Sequence, residues 1–184
     1  MIWIIVLAVV AVLVLVVIGL YNGLVRARNQ VDNAWSQIDV QLKRRIDLIP
    51  NLVETVKGYA AHEKATLDAV VTARNAAIAA PAGDPHAQAA ADDQITGALR
   101  QLFALSEAYP DLKANQNFLA LQEELTATEG RVAYARQFYN DTVLSYNNKL
   151  QTFPTVVLAG MFNFTTRDYF EADGADRQVP KVEF

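Results

Sequence analysis

Residues 2 to 20 read IWIIVLAVVAVLVLVVIGL. This run holds no charge and almost no polar atom, and it constrains the chain more than any other feature. Nineteen residues at ~1.5 Å each reach roughly 28 Å, close to the ~30 Å hydrocarbon core of a bilayer. A cleaved leader would carry a basic start, a shorter apolar stretch and a small-residue cleavage site. Here no Lys or Arg precedes the run, and LYNGLV follows it. The run is therefore expected to be a retained transmembrane helix from Ile2 to Leu20, contacting membrane lipid. Trp3 and Tyr21 stand at its two ends, where amphipathic rings prefer to sit. Arg26 and Arg28 follow the run and no cation precedes it, which places the remaining chain in the cytoplasm.

Beyond the anchor the apolar period becomes helical. Val31, Trp35, Ile38, Leu42, Ile46, Ile49, Val53, Val56 and Ala60 step by three and four. A break is expected between Gly58 and His62, then a helix from Glu63 to about Ala79. AAPAGDPHA is a loop, with Asp84 as N-cap and Pro85 at N1 of a third helix that runs to about Tyr109 and stops at Pro110. A fourth helix begins between Asp111 and Asn117 and reaches about Thr152. The competing layout is one helix from Tyr21 to Ala80 and three helices in all. The expected fold is all-α: an N-terminal transmembrane helix continuing into a long antiparallel up-and-down four-helix bundle. Its parts are an anchor over 1–21, a bundle over 22–152, and an apolar, aromatic C-terminal segment over 153–184 packing near the membrane-proximal base.

The net charge of −4 excludes the strongly basic face of a nucleic-acid binder, and no nucleic-acid partner is expected. The chain has no cysteine, hence no disulfide framework, thiol nucleophile or Cys-based metal site. HEKAT, from His62, fails the H-E-x-x-H zinc pattern because Thr66 replaces the second histidine. No G-x-S-x-G, phosphate loop or dinucleotide fingerprint occurs. No enzyme, cofactor or metal is expected.

Three cations, Lys43, Arg44 and Arg45, stand in a row, with Pro50 following inside a helical pattern. On a continuous helix the cations lie ~35 Å beyond Leu20, several Debye lengths of ~8 Å from lipid head groups. If position 59 sits beside 111, facing positions sum to roughly 170. Lys43, Arg44 and Arg45 then face Glu123, Glu124 and Glu129, and Asp32 and Asp39 face Arg131 and Arg136. The patch reads as an inter-helix ion network; a partner or ligand site and membrane contact are the alternatives. Pro50 frees the carbonyl of Ile46. It reads as a helix kink, or else as one side of a polar site with Asp47 and Asn51.

TFPTVVLAGMFNF, from Thr152 to Phe164, is apolar but too short to span. It is expected to close the base of the domain and to form a contact surface through Val157, Leu158 and Phe162. An interfacial segment is the rival reading.

KRRIDLIPNLVETVKGYAAHE, YPDLKANQNFLALQEELTATE, ARQFYNDTVLSYN and YFE before a terminal PKVEF resemble the bacterial LemA family. The resemblance covers nearly the whole chain. It implies a single-pass bacterial membrane protein with a long helical domain and no assigned catalytic residue. A relative in magnetosome formation, and family genes near membrane metalloprotease genes, imply organising work at the membrane. The reading is a membrane-anchored scaffold or adaptor at the bacterial inner membrane, with other membrane proteins or a second copy of the chain as partners. The alternative is an accessory subunit of a membrane protease, a metalloprotease among the candidates, or of a signalling complex.

Overall fold

The structure is a computed structural model, and it describes residues 1–171. The fold is all-α. The helices are α1 (Ile2–Ala60), α2 (Lys64–Ala79), α3 (Pro85–Ser106), α4 (Pro110–Lys113), α5 (Gln116–Gln151) and α6 (Thr155–Met161), with no strand among the described residues. The expectations about the chain's last thirteen residues, including Phe184, lie outside the described residues.

Two compact units divide the chain. Unit 1 holds Met1–Ser36 and Gln137–Asp168; unit 2 holds Gln37–Arg136 and, of the described residues, 169–171.

In unit 2 one apolar core draws on five helices. Ile49, Leu52, Val53 and Val56 come from α1, Leu67 and Val70 from α2, Ile95, Leu99 and Leu102 from α3, Leu112 from α4, and Phe118 and Leu125 from α5. Each such side chain, fully buried, contributes ~1.5–3 kcal/mol, which outweighs any exposed ion pair. The α1–α2 break falls at Ala61–Glu63, and Gly58 itself stays helical. The turn is held from outside: the Tyr109 hydroxyl donates to Glu63 Oε1 at 2.8 Å, and that carboxylate raises the phenol's pKa.

Asp84 caps α3 with its carboxylate, accepting from the amides of His86 and Ala87 at 3.0 Å each, with Pro85 at N1. The third helix stops at Ser106, short of Tyr109. Its end tightens into three-residue turns, with the amides of Glu107, Ala108 and Tyr109 donating to the carbonyls of Ala104, Leu105 and Ser106. Pro110 thus opens α4 rather than merely closing α3. Asn115 then caps α5 by accepting from the Phe118 amide at 3.0 Å.

In unit 1 the first part of α1 has no cover of its own. From Ile2 to Ile18 every residue is exposed, while Leu24, Ala27, Val31 and Ala34 are buried. In the same unit Tyr139, Val143, Tyr146 and Leu150 of α5, and Leu158 and Ala159 of α6, are buried too. This is the one helix among the described residues long and apolar enough to cross a membrane, judged by length and composition. After α6 the chain returns as an extended strap over 164–168. The Tyr146 hydroxyl donates to the Thr165 carbonyl (3.1 Å) and the Tyr139 hydroxyl to that of Asp168 (2.9 Å). Asn147 clasps Arg167 at both backbone groups, 2.9 Å each.

Candidate functional site

Consecutive residues of a helix point about 100° apart, so three adjacent cations cannot share one partner. Lys43 turns back to Asp39 of its own helix (2.7 Å). Arg44 reaches Glu124 Oε1 of α5 at 2.6 Å, and Arg131 meets the same oxygen at 3.3 Å. Arg45 turns inward and is 1% exposed, with Nη1 2.6 Å from Asp92 Oδ1 of α3 and Nη2 3.9 Å from Glu129. Glu123 makes no ion pair with this patch.

The second expected charge match is corrected. Asp39 is taken by Lys43, Arg131 by Glu124, and Asp32 by Arg167 of the strap at 2.9 Å. An i,i+4 pair and a neighbouring strap satisfy these charges at closer range than the rule of facing positions supposed.

Asp92 was missed in the sequence. The signal was there: Asp92, Ile95, Leu99 and Leu102 form one helical stripe, so a carboxylate at 92 lies on the core side. Burial pushes the Asp92 carboxyl above its usual value, and the Arg45 charge and hydrogen bond oppose that push; Asp93 and Glu129 reinforce it. Burial wins although the partner is only 2.6 Å away, as expected where two charges must leave water. Arg45 Nε and Gln41 Oε1, one turn apart, are buried with no protein partner.

Pro50 lies inside α1 and does not end it. The carbonyl of Ile46 that it frees accepts from Arg74 Nε of α2 at 3.2 Å. Asp47 and Asn51 therefore do not share that carbonyl in an open polar site.

The first part of the C-terminal segment, residues 153–168, belongs to unit 1. Leu158 is 6% exposed and is withdrawn from the proposed contact surface, because α6 turns that side inward. Val157 (54%) and Phe162 (49%) face outward. Phe162 and Phe164 set their rings 4.9 and 5.8 Å from Tyr21 at steep angles, and the Arg28 guanidinium lies 5.4 Å over Phe164.

Among the described residues no group of three His, Cys, Asp or Glu could hold a metal ion. His86 spends Nδ1 on the Glu171 carbonyl at 2.7 Å. An open polar depression lined by Tyr59, Asp111, Asn115, Gln116 and Asn117 has one carboxylate in its lining and no cation or histidine.

A family model described as the LemA family matches residues 34–184. The chain belongs to the LemA family. The match begins past the apolar run. Protein LemA of Metamycoplasma hominis is 30% identical over 164 residues, 88% of this chain and 74% of its own length. Magnetosome proteins MamQ 2 and MamQ 1 of Paramagnetospirillum magneticum are each 26% identical over 175 residues, 82% of this chain. The LemA-family chain spans 64% of the length of those magnetosome proteins, less than two thirds. None of these names denotes an enzyme. Family and relatives together make this a membrane-associated helical protein.

Proposed function

We propose that this LemA-family chain is a membrane-anchored helical scaffold or adaptor. It organises or recruits proteins at the bacterial inner membrane and performs no catalysis of its own, with its helical domain on the cytoplasmic side. The observation that carries the reading is the continuity of α1. Wholly exposed apolar residues run without a linker into the buried Leu24, Ala27 and Val31 of the same helix. Such an element ties a folded domain to a bilayer. The charged groups support the same reading, since Arg44, Arg45, Glu124 and Asp92 are spent on one another. The MamQ relatives are named for a structure, the magnetosome, and not for a reaction.

The test is crosslinking in intact membranes, followed by mass spectrometry of the purified products. The scaffold reading expects defined neighbours, or copies of the chain itself, at fixed stoichiometry, lost when Ile2–Leu20 is deleted. A single stoichiometric protease would replace it with the accessory-subunit reading, and turnover by the purified chain would end it. Protease added to intact spheroplasts should spare the domain; digestion while cytoplasmic markers survive would reverse the orientation.

A further inference from the structure

We propose that α6 is a second membrane contact, lying in the plane of the bilayer surface. Phe153, Val156, Val157, Met161 and Phe162 rest in the boundary between head groups and acyl chains, beside the point where α1 leaves the lipid. The inference rests on the reading that residues 2–20 span a bilayer.

Height is the first argument. Tyr21 directly follows the last residue of the apolar run, and the Phe162 ring lies 4.9 Å from it. Leu158 and Ala159 bury the other side of α6 within unit 1, so the helix is fixed at that level. The outer face is the second argument. Its five side chains are 83%, 42%, 54%, 70% and 49% exposed in that order, within ten residues of chain. A patch of this density next to a membrane exit is continuous with the lipid-facing surface of the span.

Polar groups decide between lipid and a protein partner. From Leu150 to Thr166 the chain carries no charge. Both ends of α6 are also closed internally. At the near end the Val156 amide donates to the Thr152 carbonyl (2.8 Å) and the Val157 amide to that of Pro154 (3.4 Å). At the far end the Phe162 amide donates to Leu158 (2.9 Å) and the Phe164 amide to Ala159 (3.0 Å), with Asn163 in the left-handed region at φ 53. A protein interface would ordinarily find hydrogen-bonding handles here. A surface with its backbone ends satisfied suits lipid, where unmet polar groups are costly. An interfacial segment ordinarily has a basic side. α6 has none of its own, but exposed Arg28 of α1 lies over the Phe164 ring just past it, and exposed Lys149 of α5 meets Thr155 at its start through its carbonyl. These suit anionic head groups.

The chain has no cysteine, so single labels are clean. A fluorophore is placed in turn at Val157, Met161, Val16 in the span and Ser145 on α5, in the full chain in nanodiscs holding one copy. The lipid is phosphatidylcholine with phosphatidylglycerol, brominated near the carbonyl end of its acyl chains. The inference expects quenching at Val157 and Met161 within about twofold of Val16, and little at Ser145, since in-plane helices sit ~5–10 Å into the boundary. Quenching at Val16 with Val157 and Met161 matching Ser145 overturns the inference and leaves the anchor standing. No quenching at Val16 sinks the anchor reading, and this one with it. Burial of Val157 seen only in discs holding two or more copies overturns it in favour of a chain–chain contact.

Discussion

Arg74 Nε donates to the carbonyl of Ile46 at 3.2 Å, the carbonyl that Pro50 cannot serve because proline has no N–H. One helix thus completes a bond that the other cannot make for itself. Arg74→Met should destabilise the full chain by about 1–3 kcal/mol, the cost of a part-buried acceptor left without its donor. Pro50→Ala restores an amide within reach of Ile46. The loss from Arg74→Met should then shrink by about 1 kcal/mol in the Pro50→Ala background. Chemical unfolding of the four proteins checks this; strict additivity would mean that the two residues do not share the carbonyl.

Arg45 and Asp92 form a buried pair, and removing one end leaves a charge inside. Asp92→Leu should cost about 3–5 kcal/mol, and adding Arg45→Met should return most of it. The pH behaviour carries a sign of its own. The folded state holds the Asp92 proton more tightly than the unfolded chain does, because burial raises its pKa above 3.8. This group's contribution to stability is therefore full below 3.8 and is lost as pH rises through the folded value. The stability gap between wild type and Asp92→Asn should narrow across that window. A gap that widens instead would mean that Arg45 outweighs burial.

Tyr139 gives the alkaline counterpart. Burial, opposed by Arg167 and reinforced by Asp168 and Asp32, pushes its phenol from 10.0 up to about 12. The unfolded chain ionises first, so the stability this group supplies is whole below 10.0 and disappears as pH climbs towards about 12. Tyr139→Phe should flatten that alkaline loss. It should also cost about 0.5–1.5 kcal/mol near neutrality, through the bond to the Asp168 carbonyl. Hydrogen exchange should speed up along the strap over 164–168. Unchanged exchange there would mean that the hydroxyl does not hold the strap.

Arg44 and Glu124 are partly exposed, at 52% and 33%, and their 2.6 Å pair spans two helices. A charge swap, Arg44→Glu with Glu124→Arg, should recover part of the loss seen with either change alone. The coupling should be about 0.2–1 kcal/mol and fade at high salt. Lys43→Gln should leave stability within about 0.5 kcal/mol, because its partner Asp39 lies on the same helix. Coupling that persists in high salt would point to a contact other than charge.

The elements were legible where a period or a cap announced them. The stripe through Ile49, Val53 and Val56 is core, and Asp84 with Pro85 opens α3, because hydrophobic spacing and capping chemistry are local. Partners across helices were legible only in part. Arg44 meets Glu124, but Arg45 turns inward to Asp92, since facing positions fix a level along the axis and not a direction around it. Arg74 could not be foreseen as the donor to Ile46, for the same reason. The strap is not legible in the sequence, because irregular backbone has no period. Its holders, Tyr139 and Tyr146, were visible only as members of an apolar stripe, and a stripe does not tell where a hydroxyl at its edge will find a carbonyl.

The unbroken helix α1 has a mechanical consequence. Residues 2 to 20 and the Leu24–Ala34 face turn together, for no glycine-rich or proline-bearing linker stands between them. A span longer or shorter than the local hydrocarbon thickness adjusts by tilting. In the anchored chain proposed above, that tilt is handed directly to the packed part of unit 1, and a one-residue insertion near Gly23 would rotate one against the other by about 100°. Bilayer thickness would then be an input to the angle at which this unit stands on the membrane.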